Sequence, residues 1–292
     1  MSQPLGHVLD EAWLAAHPLP AAHGAHSKED RGRVLLIGGS VDIPGAILLA
    51  AQAALRAGAG KLQMAIPGPA APFLAPHMPE ARVLGQPSDE QGQIAGMCPA
   101  CRQEAERADT IVVGPGMCDS PALASLLGEL PTHPTLVLDA GAITCFKQAH
   151  VRSQAAILTP HAGEMAKLLG CEVDQIPGHE PALALQAAKD LHVVLVLKGP
   201  STWIASPAGE LLRYEGGGVG LATSGSGDVL AGVIGGLAAR GAEPLIAAAW
   251  GVFLHGQAGR HLAERMGALG FLAREICPHI PQIMQALSPP AR

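Results

Sequence analysis

Residues that could do chemistry gather in one stretch, Gly216 to Gly241, GGGVGLATSGSGDVLAGVIGGLAARG. It opens on four glycines in five residues, passes through Gly225, Ser226, Gly227 and Asp228, and continues as an apolar run to Ala239. Val229, Leu230, Val233, Ile234 and Leu237 recur at helical spacing, and Gly241 stands where such a helix would stop. The pattern describes a flexible loop feeding the N-terminus of a buried helix. Glycines let backbone N–H groups approach a ligand closely, and a helix start carries partial positive charge, so this end suits an anion. Asp228 lies at the same end. It could simply cap a core helix, with glycines that only pack. Beside a phosphate it would be repulsive, unless it takes a proton from a nucleophile attacking that phosphate. The density of glycine and small polar residues favours the second reading.

Two other stretches have chemical potential. Thr159-Pro160-His161-Ala162-Gly163-Glu164 leads from an apolar run into a helix, so His161 and Glu164 belong to a strand-to-helix loop. Glu164 suits a first helical turn as a plain complement to the dipole. Lys198-Gly199-Pro200-Ser201-Thr202 follows the unbroken apolar run Val193 to Leu197. A lysine where a buried strand opens, followed by glycine and hydroxyl residues, suits a phosphate. Gly114-Pro115-Gly116 makes a rigid turn at another strand end.

The elements that must position these residues alternate. Strands are expected over 33–37, 61–66, 110–113, 135–138, 155–158 and 193–197, with a hairpin over 203–206 and 210–214. Helices are expected over 45–57, 121–130, 164–169, 181–191, 229–239, 244–265 and 272–287. Residues 67–107 read as a short helix near Ala71 to Ala75 and a longer loop. The strand runs are apolar throughout rather than alternating, which argues an α/β fold with a largely parallel central sheet and helices on both faces. In such sheets ligands bind beyond the carboxyl ends of the strands. Residues 1–30 read as an N-terminal arm and 31–292 as a single domain. The Rossmann fingerprint and the P-loop are both absent.

Composition excludes several classes. Of 292 residues, 48% are hydrophobic and 15% charged, which fits a globular chain. A net charge of −6 and 3% aromatics argue against nucleic-acid binding. No uninterrupted apolar segment reaches membrane-spanning length, and the start lacks a signal-like core, so a cytoplasmic location is expected. Six scattered cysteines fit a reduced protein. The lone Cys98/Cys101 pair reads as incidental cysteines on a surface loop, and His17, His23 and His26 as exposed histidines.

Together, GRVLLIGGS (Gly32 to Ser40), GA with LAAQAALRAGAG (Gly45 to Gly60), VVGPG (Val112 to Gly116), ILTPHAGEMAKLLG (Ile157 to Gly170), LKGPST (Leu197 to Thr202) and ATSGSGDVLAG (Ala222 to Gly232) follow a specific order and spacing. In these landmarks the chain resembles the ADP/ATP-dependent NAD(P)H-hydrate dehydratases, a branch of the ribokinase-like superfamily. The resemblance implies phosphorylation of the ring hydroxyl of NADH-hydrate or NADPH-hydrate by ADP or ATP with Mg2+, then loss of phosphate to restore the dinucleotide. It implies that Asp228 is the base and that the N–H groups of Gly225, Ser226 and Gly227 form an anion hole. Lys198, Gly199, Pro200, Ser201, Thr202 and Gly227 would hold the adenine nucleotide. Ala46, Gly116, His161 and Asp228 would line the hydrated dinucleotide, and Glu164 would organise magnesium. It further implies a homo-oligomer, with a tetramer favoured. Ile43, Ala162, Gly218, Val219, Ser224 and Ser226 depart from residues common in the family. The alternatives are a small-alcohol or vitamin-precursor kinase of the same superfamily and a weakly catalytic nucleotide-binding protein.

Overall fold

Apolar runs bounded by glycine and proline assemble one ten-stranded sheet with helices on both faces. The computed structural model describes residues 6–20, 29–151 and 155–287. The strands are β1 (His7–Val8), β2 (Arg33–Ile37), β3 (Lys61–Pro67), β4 (Arg82–Gln86), β5 (Thr110–Val113), β6 (Thr135–Leu138), β7 (Ala156–Leu158), β8 (Val194–Leu197), β9 (Thr202–Ala205) and β10 (Leu211–Tyr214). The helices are α1 (Glu11–Ala16), α2 (Gly45–Arg56), α3 (Ala71–Leu74), α4 (Pro99–Ala105), α5 (Pro121–Gly128), α6 (Gly141–Cys145), α7 (Ala162–Leu169), α8 (Glu180–Leu191), α9 (Ser226–Ala239), α10 (Pro244–Met266), α11 (Ala273–Ile276) and α12 (Ile280–Leu287).

The strand order is β1-β10-β9-β8-β7-β6-β5-β2-β3-β4, and only β9 runs against its neighbours. From β2 the chain winds outward through β3 to β4, then returns to β5 on the other side of β2. That reversal opens a crevice at the carboxyl ends of β2 and β5. Successive residues of β2 enter opposite cores: Val34 and Leu36 pack with α2, α9 and α10, while Leu35 and Ile37 pack with α4 and α5. A strand buried on both faces has no polar positions, which explains the unbroken apolar runs.

Helix α9 lies against α2 at the distance small residues allow. A Cβ on Gly232 would come within 2.2 Å of the Ala50 carbonyl oxygen, and one on Gly236 within 2.4 Å of that of Ala54. On the sheet side, a Cβ on Gly235 would meet Val112 at 2.4 Å. The glycines of VLAGVIGGLAA thus set how deeply the helix sinks, and so where its N-terminus stands.

The structure corrects several expectations. Residues 67–107 contain more than a short helix and a loop: β4 forms the sheet edge and α4 follows it. Edge exposure breaks the apolar pattern of RVLGQ, and α4 is too short for a periodic signal. The single helix expected over 272–287 is two, α11 and α12, separated by a tight turn at Cys277–His279. Pro278 and Pro281 each lack the N–H a continuous helix needs. Cys98 and Cys101 are not on a surface loop: Cys98 caps α4 and Cys101 is fully buried. Burial pushes the Cys101 thiol up to about 12, so it is inert. The N-terminal arm adds β1 to the sheet and buries Leu9 and Leu14. His17 is half-buried rather than exposed, stacked on Trp13, and its carbonyl accepts from the Trp250 indole at 2.8 Å. His23 and His26 lie outside the described residues. Among the described residues, no helix is long and apolar enough to cross a membrane.

The tight α2–α9 seam yields a prediction. Gly236→Val should cost about 1–3 kcal/mol of stability through overpacking, read as a lower midpoint in chemical denaturation. An unchanged midpoint would mean that glycine does not set this spacing.

Candidate functional site

Five strands end at one edge of the sheet, and their loops carry the polar residues. After β2 come Gly38, Gly39 and the start of α2; after β5, Gly114 to Gly116; after β6, Asp139; after β7, His161 and Glu164; after β8, Lys198. The N-terminus of α9 closes over them.

At the β2–β5 crevice the loops touch through glycine. A Cβ on Gly116 would lie 2.8 Å from the Ala46 Cβ and 2.8 Å from the Ile43 carbonyl oxygen. Gly39 donates its N–H to the Pro115 carbonyl at 2.7 Å. Ala46 and Gly116 are therefore neighbours. Ile43 stands at the rim with half its surface exposed.

At the centre is an ion cluster. The Lys198 ammonium donates to Asp139 Oδ1 at 2.9 Å and lies 3.8 Å from Glu164 Oε2. Asp139 is buried, and its Oδ1 also accepts from the Thr159 hydroxyl at 2.7 Å. A Cβ on Gly227 would lie 3.3 Å from the Lys198 ammonium and 3.9 Å from Asp139 Oδ2. The start of α9 thus comes into close contact with the lysine tip. Burial works against the Lys198 charge, but Asp139, Glu164 and Asp228 outweigh it and hold its pKa above the usual value. For Asp228, burial and then the Asp139 charge push the carboxyl up to about 7, Lys198 pulls it down, and Glu164 adds to the rise. Asp228 thus changes charge near neutrality, where a general base works best.

Backbone geometry places Asp139. Gly114, at φ +120°, brings β5 so near that a Cβ there would sit 1.8 Å from the Asp139 carbonyl oxygen. Ala140 adopts φ +48° and ψ −127°, a conformation that costs on the order of 1–3 kcal/mol for a residue with a Cβ. That turn swings the chain directly into α6 and leaves Asp139 facing Lys198.

His161 and Glu164 form a reciprocal cap on α7. The His161 Nδ1 accepts from the N–H groups of Gly163 at 2.9 Å and Glu164 at 3.3 Å, and Glu164 Oε2 accepts from the His161 N–H at 2.8 Å. With Nδ1 accepting, Nε2 is the ring's donor position, and it lies 3.6 Å from Glu164 Oε1. The plain capping role of Glu164 is real, and its Oε1 makes no hydrogen bond there. The Lys198 N–H donates to the Pro160 carbonyl at 2.8 Å, so the two loops run side by side.

Other expected residues fall differently. The Ser226 N–H donates to the Thr223 carbonyl at 3.2 Å, so it is not open to an anion. Gly227 and Asp228 retain first-turn N–H groups with no intrahelical partner. Gly199 and Pro200 are exposed in the turn between β8 and β9, and Thr202 already belongs to β9. Lys198 alone of that loop points into the carboxylates. The four-glycine cluster has less to do with a ligand than its density implied. A Cβ on Gly216 would strike the Tyr214 hydroxyl at 2.2 Å, and one on Gly220 would strike the Phe271 ring at 2.3 Å. Gly218, at φ +75° and ψ 161°, stands in open space, in a conformation essentially reserved for glycine.

Two residues escaped the sequence reading. Asp139 had a usable signal, a carboxylate directly after a strand at the same sheet edge as the glycine turns. His255 had none, since it lies inside the apolar helix α10 and its partner is 29 positions away. Its Nε2 lies 3.0 Å from both the Ser226 carbonyl oxygen and hydroxyl. Burial lowers its pKa to about 4, with Lys198 adding to the drop against the Ser226 carbonyl, so the ring is neutral and ties down the first residue of α9.

Residues 34–282 match the family described as NAD(P)H-hydrate dehydratase. A protein of Xanthomonas campestris, an ADP-dependent (S)-NAD(P)H-hydrate dehydratase, is 46% identical over 98% of this chain and 99% of its own. The structure is similar to that of an ADP/ATP-dependent NAD(P)H-hydrate dehydratase from Bacillus subtilis, co-crystallised with ATP and Mg2+. The TM-score is 0.84 at 29% identity, covering 97% of this chain and 99% of that one. A ribokinase-like superfamily protein from Enterococcus faecalis gives the same TM-score at 28% identity over 99% of this chain and 100% of its own. With this fold and near full-length identity to a curated member, the chain belongs to the NAD(P)H-hydrate dehydratase family of ribokinase-like proteins.

Proposed function

We propose that this protein returns (S)-NADH-hydrate and (S)-NADPH-hydrate to NADH and NADPH, consuming ADP. The observation that carries the reading is Asp228, a buried carboxylate at a helix N-terminus whose pKa is raised to about 7. A carboxylate beside an anion site needs a reason to be there, and proton abstraction supplies one. Asp228 takes the proton of the ring hydroxyl. The hydroxyl oxygen attacks the β-phosphorus of ADP, the bond to the bridging oxygen breaks, and AMP leaves. The ring nitrogen lone pair then expels phosphate, and loss of the neighbouring ring proton restores the dihydropyridine. The hydroxyl is a poor leaving group and phosphate a good one, so the protein need only phosphorylate and hold the ring.

The other residues divide the remaining work. First-turn N–H groups at Gly227 and Asp228 would stabilise charge on the transferred phosphoryl. Lys198 would meet the nucleotide phosphates, with Gly199, Pro200, Ser201 and Thr202 forming the turn beside them. Ala46, Gly116 and the half-exposed His161 ring would line the hydrated ring. Among the described residues, no group of three His, Cys, Asp or Glu side chains could hold a metal alone. Such a donor set fits a magnesium ion that arrives with the nucleotide and keeps phosphate oxygens and waters as ligands. Glu164 Oε1 and Asp139 are the carboxylates placed to face it. When bound, that ion neutralises phosphate charge.

Incubation with hydrated NADH, Mg2+ and ADP tests the reading. One free phosphate and one AMP should accompany each dihydronicotinamide regained. A stable phosphorylated alcohol, with hydrated NADH ignored, would make the protein a small-alcohol kinase instead.

Substitution separates the roles. Asp228→Asn should lower turnover ~10²–10⁴-fold with ADP affinity similar or tighter. It should also raise stability, and the sign follows from the pKa. The folded carboxyl titrates at about 7 and the reference value is 3.8. The folded state therefore holds the proton more tightly between those values, and the ionised group destabilises the fold fully above about pH 7. At pH 8 Asp228→Asn should gain on the order of 1–3 kcal/mol, fading as pH falls toward 3.8. Wild-type turnover in the variant would remove Asp228 from the mechanism.

Lys198→Ala should weaken ADP binding by about ten- to a hundredfold, since a charge-assisted phosphate contact is lost. Calorimetric titration reads this directly, and unchanged affinity would place the nucleotide elsewhere.

A further inference from the structure

An open groove of about 840 Å³ begins beside the site and runs along the outer face of α2. Gly45, Leu48, Leu49, Gln52, Leu55 and Arg56 line it, positions that share one helical face. Gly45 adjoins Ala46 of the crevice. At the same end Ser224 adjoins Gly225, where a Cβ would lie 2.5 Å from Leu49. The groove is thus continuous with the start of α9. Two cations line the groove, and Arg274 follows Ala273, which packs at the Gly225 end. Arg56, at the end of α2, and Arg274, on α11, both line it. Both are exposed, and neither has an ion-pair partner among the described residues. Glu80 is the one carboxylate of the lining. At about 1.5 Å per residue, Arg56 lies about 16 Å beyond Gly45 along the helix.

We propose that this groove takes the adenosine end of the hydrated dinucleotide, and that Arg56 and Arg274 receive its 2′-phosphate. The inference rests on the proposed function and deepens it. With the nicotinamide ring held at Asp228, the pyrophosphate must leave the crevice past Gly45 and Ser224. Beyond that point Leu48, Leu49 and Leu55 offer an apolar floor for adenine and ribose, and Gln52 offers an amide for hydrogen bonding. Two unpaired guanidinium groups lining an apolar path suit a terminal phosphate monoester. Only NADPH-hydrate carries that group, so the groove makes this chain favour it over NADH-hydrate.

The test compares wild type, Arg56→Gln and Arg274→Gln with ADP saturating and each hydrate as varied substrate. KM for NADPH-hydrate should rise about tenfold in each variant, with KM for NADH-hydrate and both kcat values near wild type. Adenosine 2′,5′-bisphosphate should bind wild type by calorimetry in the presence of ADP and lose affinity in both variants. Equal losses on the two hydrates, or none on either, would overturn the assignment. A wild-type protein that dehydrates neither hydrate would defeat the proposed function alone. The bisphosphate titration would still decide the groove: binding that needs both arginines sustains it, and binding indifferent to them overturns it.

Discussion

Three carboxylates share one lysine in a site largely closed to water, and the rest of the structure is arranged to make that tolerable. Asp139 pairs directly with Lys198, Glu164 stands 3.8 Å from it, and Asp228 lies within its field. One cation cannot neutralise three anions. Burial first, and then the Asp139 charge that Lys198 only partly offsets, raise the Asp228 pKa to about 7. Asp139 holds the lysine directly, while burial and incomplete compensation make Asp228 a base. The same residue type thus has two roles, decided by a hydrogen bond to lysine.

The scaffold holds this imbalance with small residues and close backbone contacts. Gly227 leaves room for the lysine ammonium, and Gly114 lets β5 press against the Asp139 backbone. Ala140 accepts a costly φ of +48° to turn the chain after Asp139. Gly232 and Gly236 sink α9 onto α2, while neutral His255 fixes Ser226 from the other side. Burial lowers the His255 pKa to about 4, so the ring stays neutral where it holds Ser226.

Much of this was legible in the chain, for identifiable reasons. The two-sided burial of central strands leaves apolar runs that locate β2, β5, β6 and β8 almost to the residue. Edge strand β4 is half-exposed and left no such mark, and the prolines at 278 and 281 interrupt a stretch whose apolar periodicity otherwise describes one helix. At the site, residues next to glycine in strand-end loops were found because loop and chemistry coincide in sequence: His161, Glu164, Lys198 and Asp228. What glycine does was harder to read. Gly216 and Gly220 serve aromatic packing, and only the structure separates such packing from ligand approach. Asp139 and His255 act through partners 59 and 29 positions away, a distance no local pattern spans.

Asp228 owes its basicity first to burial and then to the Asp139 charge, which Lys198 only partly offsets. The pH dependence of kcat/KM tests it, because that profile reports ionisations of the free enzyme. Wild type should show an ascending limb near pH 7, and in Asp139→Asn the limb should move to lower pH, since a charge that raises the Asp228 pKa is gone. A limb that stays in place when Asp139 is neutralised, or no limb between about pH 5 and 9, would contradict the account.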